Sequence, residues 1–518
     1  MLSSSFDLLS IGALPALVKD YLQGQATVKK FYQYQPNIES IIQAAGERNF
    51  ANREVLVDAL IKQNSPYSNS SLIRSLADEN TFTVTTGHQL CAATGPLYFL
   101  YKIASTIALA NQLSQADKSH RYIPVYWMAS EDHDFEEIQS IEIFQKKITW
   151  QNASKGPVGR FNLEGMPQFI SELEEILGNG DDAKKWINIL KESYATSSWS
   201  DATRRLVYAL FGEEQLIVID ADDAALKKCF LPIVKKEISE RFSMELVKTT
   251  SAELEALGYK AQVSPREINL FFIRDGIRER LKFENGLIHW GEGSKTVEET
   301  SMLAELNPEC FSPNVILRPI YQETILPNLA YVGGPGELSY WLQLKSVFQS
   351  YNVFFPVLLL RDSALLVSPS VNSRLQKLQL SLDDVFSGKA NIIQRWIDAL
   401  GQEDLTKEKN ESDRLFDAIA AKMKALDPTL EASALGEKKK LIVALENLEK
   451  KMTKAIKNKE EVRIQQLDKI FSELFPSDQP QERVTNISQY ADFLNEGLLD
   501  FLIGTFDPTK LNLTVVQK

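Results

Sequence analysis

Three short segments gather most of the side chains able to hold an anion or move a proton. They are Thr86-Gly87-His88-Gln89, Glu131-Asp132-His133-Asp134 and Gly333-Gly334-Pro335-Gly336-Glu337. The chain has only 4 histidines, and two of them, His88 and His133, fall in these segments. An imidazole titrates close to neutral pH, so the pair could face one another across a crevice and bind or protonate an anionic intermediate. The bland alternative for each is a loop histidine capping a carbonyl. Asp132 and Asp134 could position an amine or hydroxyl, or deprotonate a nucleophile; acidic side chains also favour the start of a helix for purely structural reasons. Glycines let the backbone approach a phosphate or carboxylate, and a helix beginning just after them would offer N–H groups and a positive dipole end. Thr94-Gly95-Pro96-Leu97-Tyr98 adds another such turn. One helical turn beyond Tyr98, Lys102 could reach a phosphate from the same side or be solvated. Arg318 and Arg361 are candidate phosphate forks, with ordinary surface arginine as the alternative. Cys91, three residues after His88, reads as a small packing residue rather than a nucleophile. No His-x-x-x-His or Cys-x-x-Cys spacing completes a ligand set around His133, so no metal site is expected.

The elements that must position these loops read as an alternating α/β pattern. Thr81-Phe82-Thr83-Val84-Thr85-Thr86 is β-branched and ends at Gly87, as a buried strand entering a turn does. From Pro96, the apolar residues Leu97, Leu100, Tyr101, Ala104, Ile107 and Ala108 recur at helical steps. A second apolar strand, residues 122–128, runs into the acidic loop. Strand, helix, strand predicts a right-handed βαβ unit in a parallel sheet, and ligands bind such sheets at the strand ends where the order reverses. Leu216-Ile217-Val218-Ile219-Asp220 reads as a further strand, followed by a helix including residues 226–242. A hairpin is expected around Asp275-Gly276, between Phe271-Phe272-Ile273 and Leu281-Lys282-Phe283. Leu329-Ala330-Tyr331-Val332 precedes the third glycine segment; a helix over 338–349 and an apolar strand over 353–360 follow, ending at Arg361-Asp362-Ser363.

From about residue 370 the composition shifts to long charged helices. Leu441, Leu445, Leu448, Met452 and Ile456 step like a coiled-coil seam, and Leu415, Ile419, Met423 and Leu426 form a shorter stripe closed by Asp427-Pro428. Two antiparallel helices joined at that turn are predicted, an arm suited to oligomerisation or packing. The expected boundaries are a helical segment 1–80, a first core half 81–150, insertions 151–315, a second core half 316–370, the coiled coil 371–475 and a segment 476–518 folding back on the core.

Bulk properties bound the function. The 518 residues are too many for one simple core. With 44% hydrophobic and 24% charged residues, a folded globular chain is expected. The 57 Lys and Arg against 69 Asp and Glu give a net charge of −12, which argues against a nucleic-acid binder and leaves room for a local basic pocket. Residues 1–12 have no Lys or Arg ahead of their apolar stretch, unlike a secretory signal, and no apolar window approaches the roughly 20 residues of a spanning helix. The 3 scattered cysteines suggest no disulfide framework, so a cytoplasmic protein is expected.

Several long blocks, in order, resemble one family. Thr86-Gly87-His88-Gln89 with Thr94-Gly95-Pro96-Leu97-Tyr98 and Tyr101-Lys102 is the first. Pro124-Val125-Tyr126-Trp127 through Glu131-Asp132-His133-Asp134-Phe135 is the second. Leu317-Arg318-Pro319, Gln322 and Leu326-Pro327, leading to Ala330-Tyr331-Val332-Gly333-Gly334-Pro335-Gly336-Glu337 and Tyr340-Trp341, is the third. Gln481-Glu482-Arg483-Val484 with Asn486 is the fourth. Together they resemble the BshC family, the cysteine-adding enzymes of bacillithiol biosynthesis.

The resemblance implies a Rossmann-type core like that of class I aminoacyl-tRNA synthetases, with connecting insertions and a helical coiled-coil arm used for homodimerisation. It implies a ligase that joins L-cysteine through its carboxyl group to the amine of glucosaminyl malate. Carboxyl activation by ATP with magnesium is the matching cofactor expectation, although Arg361-Asp362-Ser363 lacks the lysine-serine-lysine pattern of the synthetases' second signature. On this resemblance Arg361, Ser363, Arg483 and Asn486 would help hold a nucleotide, and Lys102 and the arginines would have the malate carboxylates as a second task. No zinc site is expected, so thiol selection would have to work without one. Two other readings stay open: a nucleotide-binding scaffold, and a nucleotidyltransferase or hydrolase using a divalent metal at the His133 loop. Convergence of the three loops on one pocket would separate the enzyme readings from the scaffold.

Overall fold

The computed structural model describes residues 1–9, 14–399 and 405–518, and for 453–459 the backbone only. Residues 10–12 of the N-terminal stretch and the side chain of Ile456 therefore lie outside the described residues. The chain forms two units, Met1–Leu366 with Gln479–Val516, and Val367–Asp478 with Gln517–Lys518.

The larger unit is built on a five-stranded parallel sheet. Its strands are β1 (Thr81–His88), β2 (Arg121–Met128) and β3 (Ile217–Asp220), then β7 (Asn328–Gly333) and β8 (Val357–Leu360). Between them lie β4 (Leu270–Arg274), β5 (Ile277–Arg280) and β6 (Phe311–Pro313), which make a separate small antiparallel sheet. The large sheet has the order β8-β7-β1-β2-β3 with every pair parallel, and helix α2 (Ala224–Glu240) follows β3. The strand order therefore reverses between β1 and β7, leaving a crevice at their carboxyl ends. Both faces of the sheet are covered. Ile123, Val125 and Trp127 enter one apolar core while Tyr126 and Met128 enter another, as strand alternation requires.

The helix after β1, α1 (Tyr98–Ala116), is buried on almost every side, which explains its Ala-rich, Ile-rich interior. Its entry is closed by Gly95, whose φ of +62° a side chain would strain; a Cβ there would also lie 2.5 Å from that of Cys91. Cys91 is buried in the same core, as its packing role required.

Three expected elements differ. The apolar run 353–360 becomes a strand only from Val357, since Pro356 has no N–H to give the ladder. The helix expected over 338–349 is two, α4 (Pro335–Trp341) and Lys345–Tyr351. At the break, the buried Gln343 side chain accepts from the N–H groups of Gln262 and Val263 at 2.7 and 3.0 Å. The hairpin does turn at Asp275-Gly276, with φ of +51° and +75° as a type I′ turn needs. Its second strand is β5, however, and Lys282–Glu284 joins another small sheet.

The smaller unit contains α5 (Thr406–Leu426) and α6 (Glu431–Lys459), joined after Asp427-Pro428. Their ion pairs nest, Lys424–Glu431 at the turn, Lys438–Asp417 further out and Lys409–Glu449 beyond, so the helices are antiparallel. Of the expected stripes, Ile419, Met423, Leu441, Leu445 and Met452 are half-buried along the contact line. Ala420 and Ala434 are buried, whereas Leu415, Leu426 and Leu448 are 58%, 84% and 49% exposed. Two helices alone bury only a narrow strip, and small residues let them approach.

Candidate functional site

A cavity of about 590 Å³ opens at the reversal of strand order. Gly87, His88 and Gln89 line it from the end of β1, and Glu131, Asp132, His133 and Asp134 from the loop after β2. Tyr98 and Lys102 line it from α1, Arg318 from α3 (Arg318–Ile325), and Glu337 from α4. The three loops converge. The insertion completes the lining through Arg266, Phe271, Arg278 and Arg280.

The floor is a buried ion pair. Lys102 Nζ lies 2.6 Å from Glu337 Oε2 and also donates to the Gly87 carbonyl. The hydroxyl of Tyr331 donates to Glu337 Oε1 at 2.5 Å, and the Gly334 N–H to Oε2 at 2.8 Å. Burial pushes the Glu337 carboxyl up, but Lys102 and these donors outweigh it and hold the group below the usual carboxylate range. Burial pulls the Lys102 ammonium down, against the pull of Glu337. Lys102 is neither solvated nor a free phosphate ligand, which corrects both sequence expectations for it.

Above the floor, His88 is half-buried and lowered to about 4 by desolvation and by nearby Lys102. Its Nδ1 sits 2.9 Å from the Gln89 carbonyl, an acceptor, so the proton is on Nδ1 and Nε2 carries a lone pair. His133 is in the opposite tautomer. Arg278 Nη1 lies 2.9 Å from His133 Nδ1, and a guanidinium can only donate, which places the His133 proton on Nε2. Arg278 is further fixed by the Pro313 carbonyl and Ser312 hydroxyl at 2.8 and 3.1 Å, and stacks 3.8 Å from the Phe271 ring centre.

Asp132 organises its loop. One oxygen accepts from the backbone N–H of His133 at 2.7 Å, the other from Gln89 Nε2 at 2.7 Å. The loop is pressed close by Gly159, whose N–H donates to the Ser130 carbonyl and where a Cβ would stand 2.5 Å from that of Ser130. Glu131 points back into the protein onto Lys227, burial pushing its carboxyl up and Lys227 opposing. Asp132, His133 and Asp134 have ligand atoms within 4.8 Å of one another, a set that could in geometry take a cation. The Arg278 guanidinium on His133 Nδ1 occupies one of those donors and adds a positive charge beside it.

Arg318 is half-buried and lines the cavity. Its guanidinium lies 5.8 and 5.6 Å from the rings of Trp127 and Tyr331, with Gln322 Oε1 at 3.1 Å and the Tyr340 hydroxyl at 3.4 Å. Among the described residues no carboxylate lies within 4.0 Å of it.

Other expected contributors are placed elsewhere. Arg361 makes a two-pronged ion pair with Glu482 at 2.7 and 3.0 Å, and the Ser363 hydroxyl donates to the same carboxylate at 3.3 Å. This buried latch lies behind Tyr98, whose ring is 5.4 Å from the Arg361 guanidinium, and offers no fork to a ligand. Asn486 donates to the Ala93 and Gly95 carbonyls at 2.8 and 2.5 Å and braces the turn instead of a nucleotide. Thr94 is buried in that turn, and Arg483 is exposed outside the cavity. Gly333, Gly334 and Gly336 do not line it. At each helix start part of the N–H set is already taken. The Leu97 N–H goes to the Thr485 carbonyl and that of Phe99 to Pro96; at α4 the Gly334 N–H is taken by Glu337 and Pro335 has none.

With this geometry described, the comparisons with known proteins bear on it. Residues 5–362 match the family model described as Bacillithiol biosynthesis BshC, N-terminal Rossmann-like domain, and residues 364–518 match its C-terminal coiled-coil domain. The chain belongs to the BshC family. Relatives within it share the printed name "Putative cysteine ligase BshC". That of Flavobacterium psychrophilum is 38% identical over 524 residues and that of Flavobacterium johnsoniae 39% over 518, each covering 98% of both chains. That of Salinibacter ruber is 32% identical over 523 residues, covering 95% of this chain and 94% of its own.

For this BshC-family chain, sequence reasoning missed Arg266, Arg278, Arg280, Tyr331 and Tyr340 as cavity residues. Tyr340 stands one helical turn after Glu337, and Arg278 and Arg280 alternate along a strand after an Asp-Gly turn, signals that were available. Among the described residues, no helix is long and apolar enough to cross a membrane.

Proposed function

We propose that this protein is a ligase that joins L-cysteine, through its carboxyl group, to the amine of glucosaminyl malate, forming bacillithiol. The observation that carries the proposal is the convergence of all three loops on one cavity at the reversal of strand order, where the uncommitted cations are arginines. A volume of about 590 Å³ suits a small-molecule site, and a scaffold would have no need to bring these loops together. The family membership and the name shared by its relatives support cysteine as one substrate.

The amide forms when the neutral amine attacks the activated carboxyl carbon, the amine's proton passes to a base, and the activating group leaves with the C–O bonding electrons. His88, unprotonated at neutral pH and carrying its lone pair on Nε2, is the base we assign. His133, with its proton on Nε2, and Arg318 are the donors we assign to the reacting carboxyl group. A free carboxylate does not condense with an amine in water unaided, and on that chemical requirement we propose ATP with magnesium as the activator. No residue is assigned to the nucleotide.

The test is mass-spectrometric detection of product from purified protein, L-cysteine and glucosaminyl malate, with and without ATP and magnesium. Product that requires ATP is the expected result. Product without ATP would keep the ligase and replace the activator; no product from folded protein would remove the ligase reading. A stoichiometric divalent ion held at the Asp132–Asp134 loop of the purified protein would favour metal-dependent chemistry instead.

We further propose that the protein is a homodimer assembled through α5 and α6. Leu415, Val443 and Leu448 expose apolar side chains there, at 58%, 47% and 49%. Light scattering is expected to give twice the 58.5 kDa chain mass, falling to one copy in Leu415→Glu/Leu448→Glu. A monomeric unsubstituted protein would rule the dimer out.

A further inference from the structure

The insertion wall of the cavity carries more positive charge than the protein itself uses. β4 and β5 pair with Phe271 opposite Arg280 and Ile273 opposite Arg278, so these four share one face of the hairpin. Phe271, Arg278 and Arg280 line the cavity. Glu279 lies on the other face, its carboxylate oxygens within 2.4 Å of where a Cβ on Gly291 would stand. The strand therefore presents cations to the cavity and turns its carboxylate away. Arg278 is spent on His133, Pro313 and Ser312. Arg280 is not, and neither is Arg266: among the described residues no carboxylate lies within 4.0 Å of either guanidinium, and both are exposed.

The segment bearing Arg266 is held in place deliberately. Asn269, fully buried, accepts from the Arg266 N–H at 3.0 Å and donates to the Arg266 carbonyl at 2.9 Å. It also donates to Ser243 Oγ at 2.7 Å, and its backbone N–H donates to the buried carboxylate of Glu237 at 2.9 Å. The Asn314 amide donates to Asn269 Oδ1 at 2.8 Å, and the Asn314 carbonyl accepts the first N–H of α3, that of Arg318, at 2.8 Å. One pair of asparagines thus fixes the backbone under Arg266 and under Arg318 together. A satisfied buried network of this kind gives a rigid frame for a charged rim.

We infer that Arg266 and Arg280 form the subsite for the two carboxylates of the acceptor, and that this rim selects a dicarboxylate-bearing amino sugar over a neutral one. The inference rests on the ligase reading and adds the residues that set its acceptor specificity. Two guanidiniums on separate segments match a ligand with two separate carboxylates, and an arginine fork meets a carboxylate through two parallel hydrogen bonds. The subsite and His88, the base assigned to the amine, line the same cavity from different segments, so one ligand could engage both.

Calorimetric titration of glucosaminyl malate and of its dimethyl ester into the full chain tests this. The unsubstituted protein is expected to prefer the diacid by roughly tenfold or more, and Arg266→Gln/Arg280→Gln to lose most of that preference. Arg266→Lys/Arg280→Lys is expected to recover part of it, since a lysine restores charge without the fork. The KM for cysteine should not move. A double Gln variant that keeps the full preference overturns the assignment and leaves the ligase reading standing. So does an unsubstituted protein that binds diacid and diester alike, or a double variant that weakens ATP binding and spares the diacid. An unsubstituted protein that binds neither glycoside overturns the ligase reading itself.

Discussion

Lys102→Met is expected to destabilise the larger unit by about 3 kcal/mol and to abolish ligation, measured by urea unfolding and product formation. The cost comes from the partner left behind. Glu337 would remain in the floor of the cavity without its cation, and an uncompensated buried charge typically costs about 3–5 kcal/mol. The lower end applies because the Glu337 side chain is 25% exposed and keeps Tyr331 and Gly334 as donors. The Gly87 carbonyl would lose its donor as well. Lys102→Met/Glu337→Gln is expected to regain part of the loss, because it removes both charges at once. A single variant within about 1 kcal/mol of the unsubstituted protein would show that this pair does not hold the floor together.

The same pair sets an acid limb. In the folded protein Glu337 titrates below its ordinary value of 4.5, because Lys102, Tyr331 and Gly334 outweigh its burial. Such a group binds fewer protons folded than unfolded near that pH. Its contribution to stability is complete above the unfolded value and is lost as pH falls through the depressed folded one. Glu337→Gln should therefore flatten the fall in stability below pH 4.5.

The parallel sheet was legible because its signals are local. The run Thr81-Phe82-Thr83-Val84-Thr85-Thr86 can bury both faces only as a central strand, and the apolar steps from Leu97 to Ala108 fit only a helix. The loops after those strands were legible for the same reason, since strand ends in parallel sheets are where ligands bind. What stayed hidden was pairing across the chain. Nothing near Lys102 announces Glu337, and nothing near Arg361 announces Glu482, yet these partners convert two apparent phosphate ligands into framework. The glycine turns misled similarly. Their N–H groups looked available because the groups that take them, the Thr485 carbonyl and the Glu337 carboxylate, lie elsewhere in sequence or on the helix itself. The insertion wall was missed because Ile277-Arg278-Glu279-Arg280 is short and charged, and only its pairing with Leu270–Arg274 shows which arginines turn inward.

Asp132→Ala and His133→Ala are each expected to lower kcat/KM for ligation by about 10²–10⁴ while leaving the fold intact. They would act by different routes. His133 is the donor itself, kept with its proton on Nε2 by the guanidinium on Nδ1, so its loss removes a hydrogen bond to the reacting carboxyl. Asp132 positions it, by accepting from the His133 N–H and from Gln89 across the cavity mouth, so its loss frees the loop. Asp132→Asn separates these roles. It keeps one carbonyl oxygen for the His133 N–H but sets an amide donor against the Gln89 amide, which must turn over to compensate. Activity between that of the unsubstituted protein and Asp132→Ala is therefore expected. Arg278→Gln provides a second control, because without the guanidinium the His133 ring is free to take either tautomer and kcat, more than KM, should fall. Circular dichroism and urea unfolding establish that each variant is folded, and full turnover in both alanine variants would exclude this loop from the chemistry. The side chains of Asp132 and His133 are 26% and 36% exposed, and surface substitutions away from structural features usually change stability by less than about 0.5 kcal/mol. Large kinetic effects with small stability effects are the pattern expected where a loop serves a ligand and not the core.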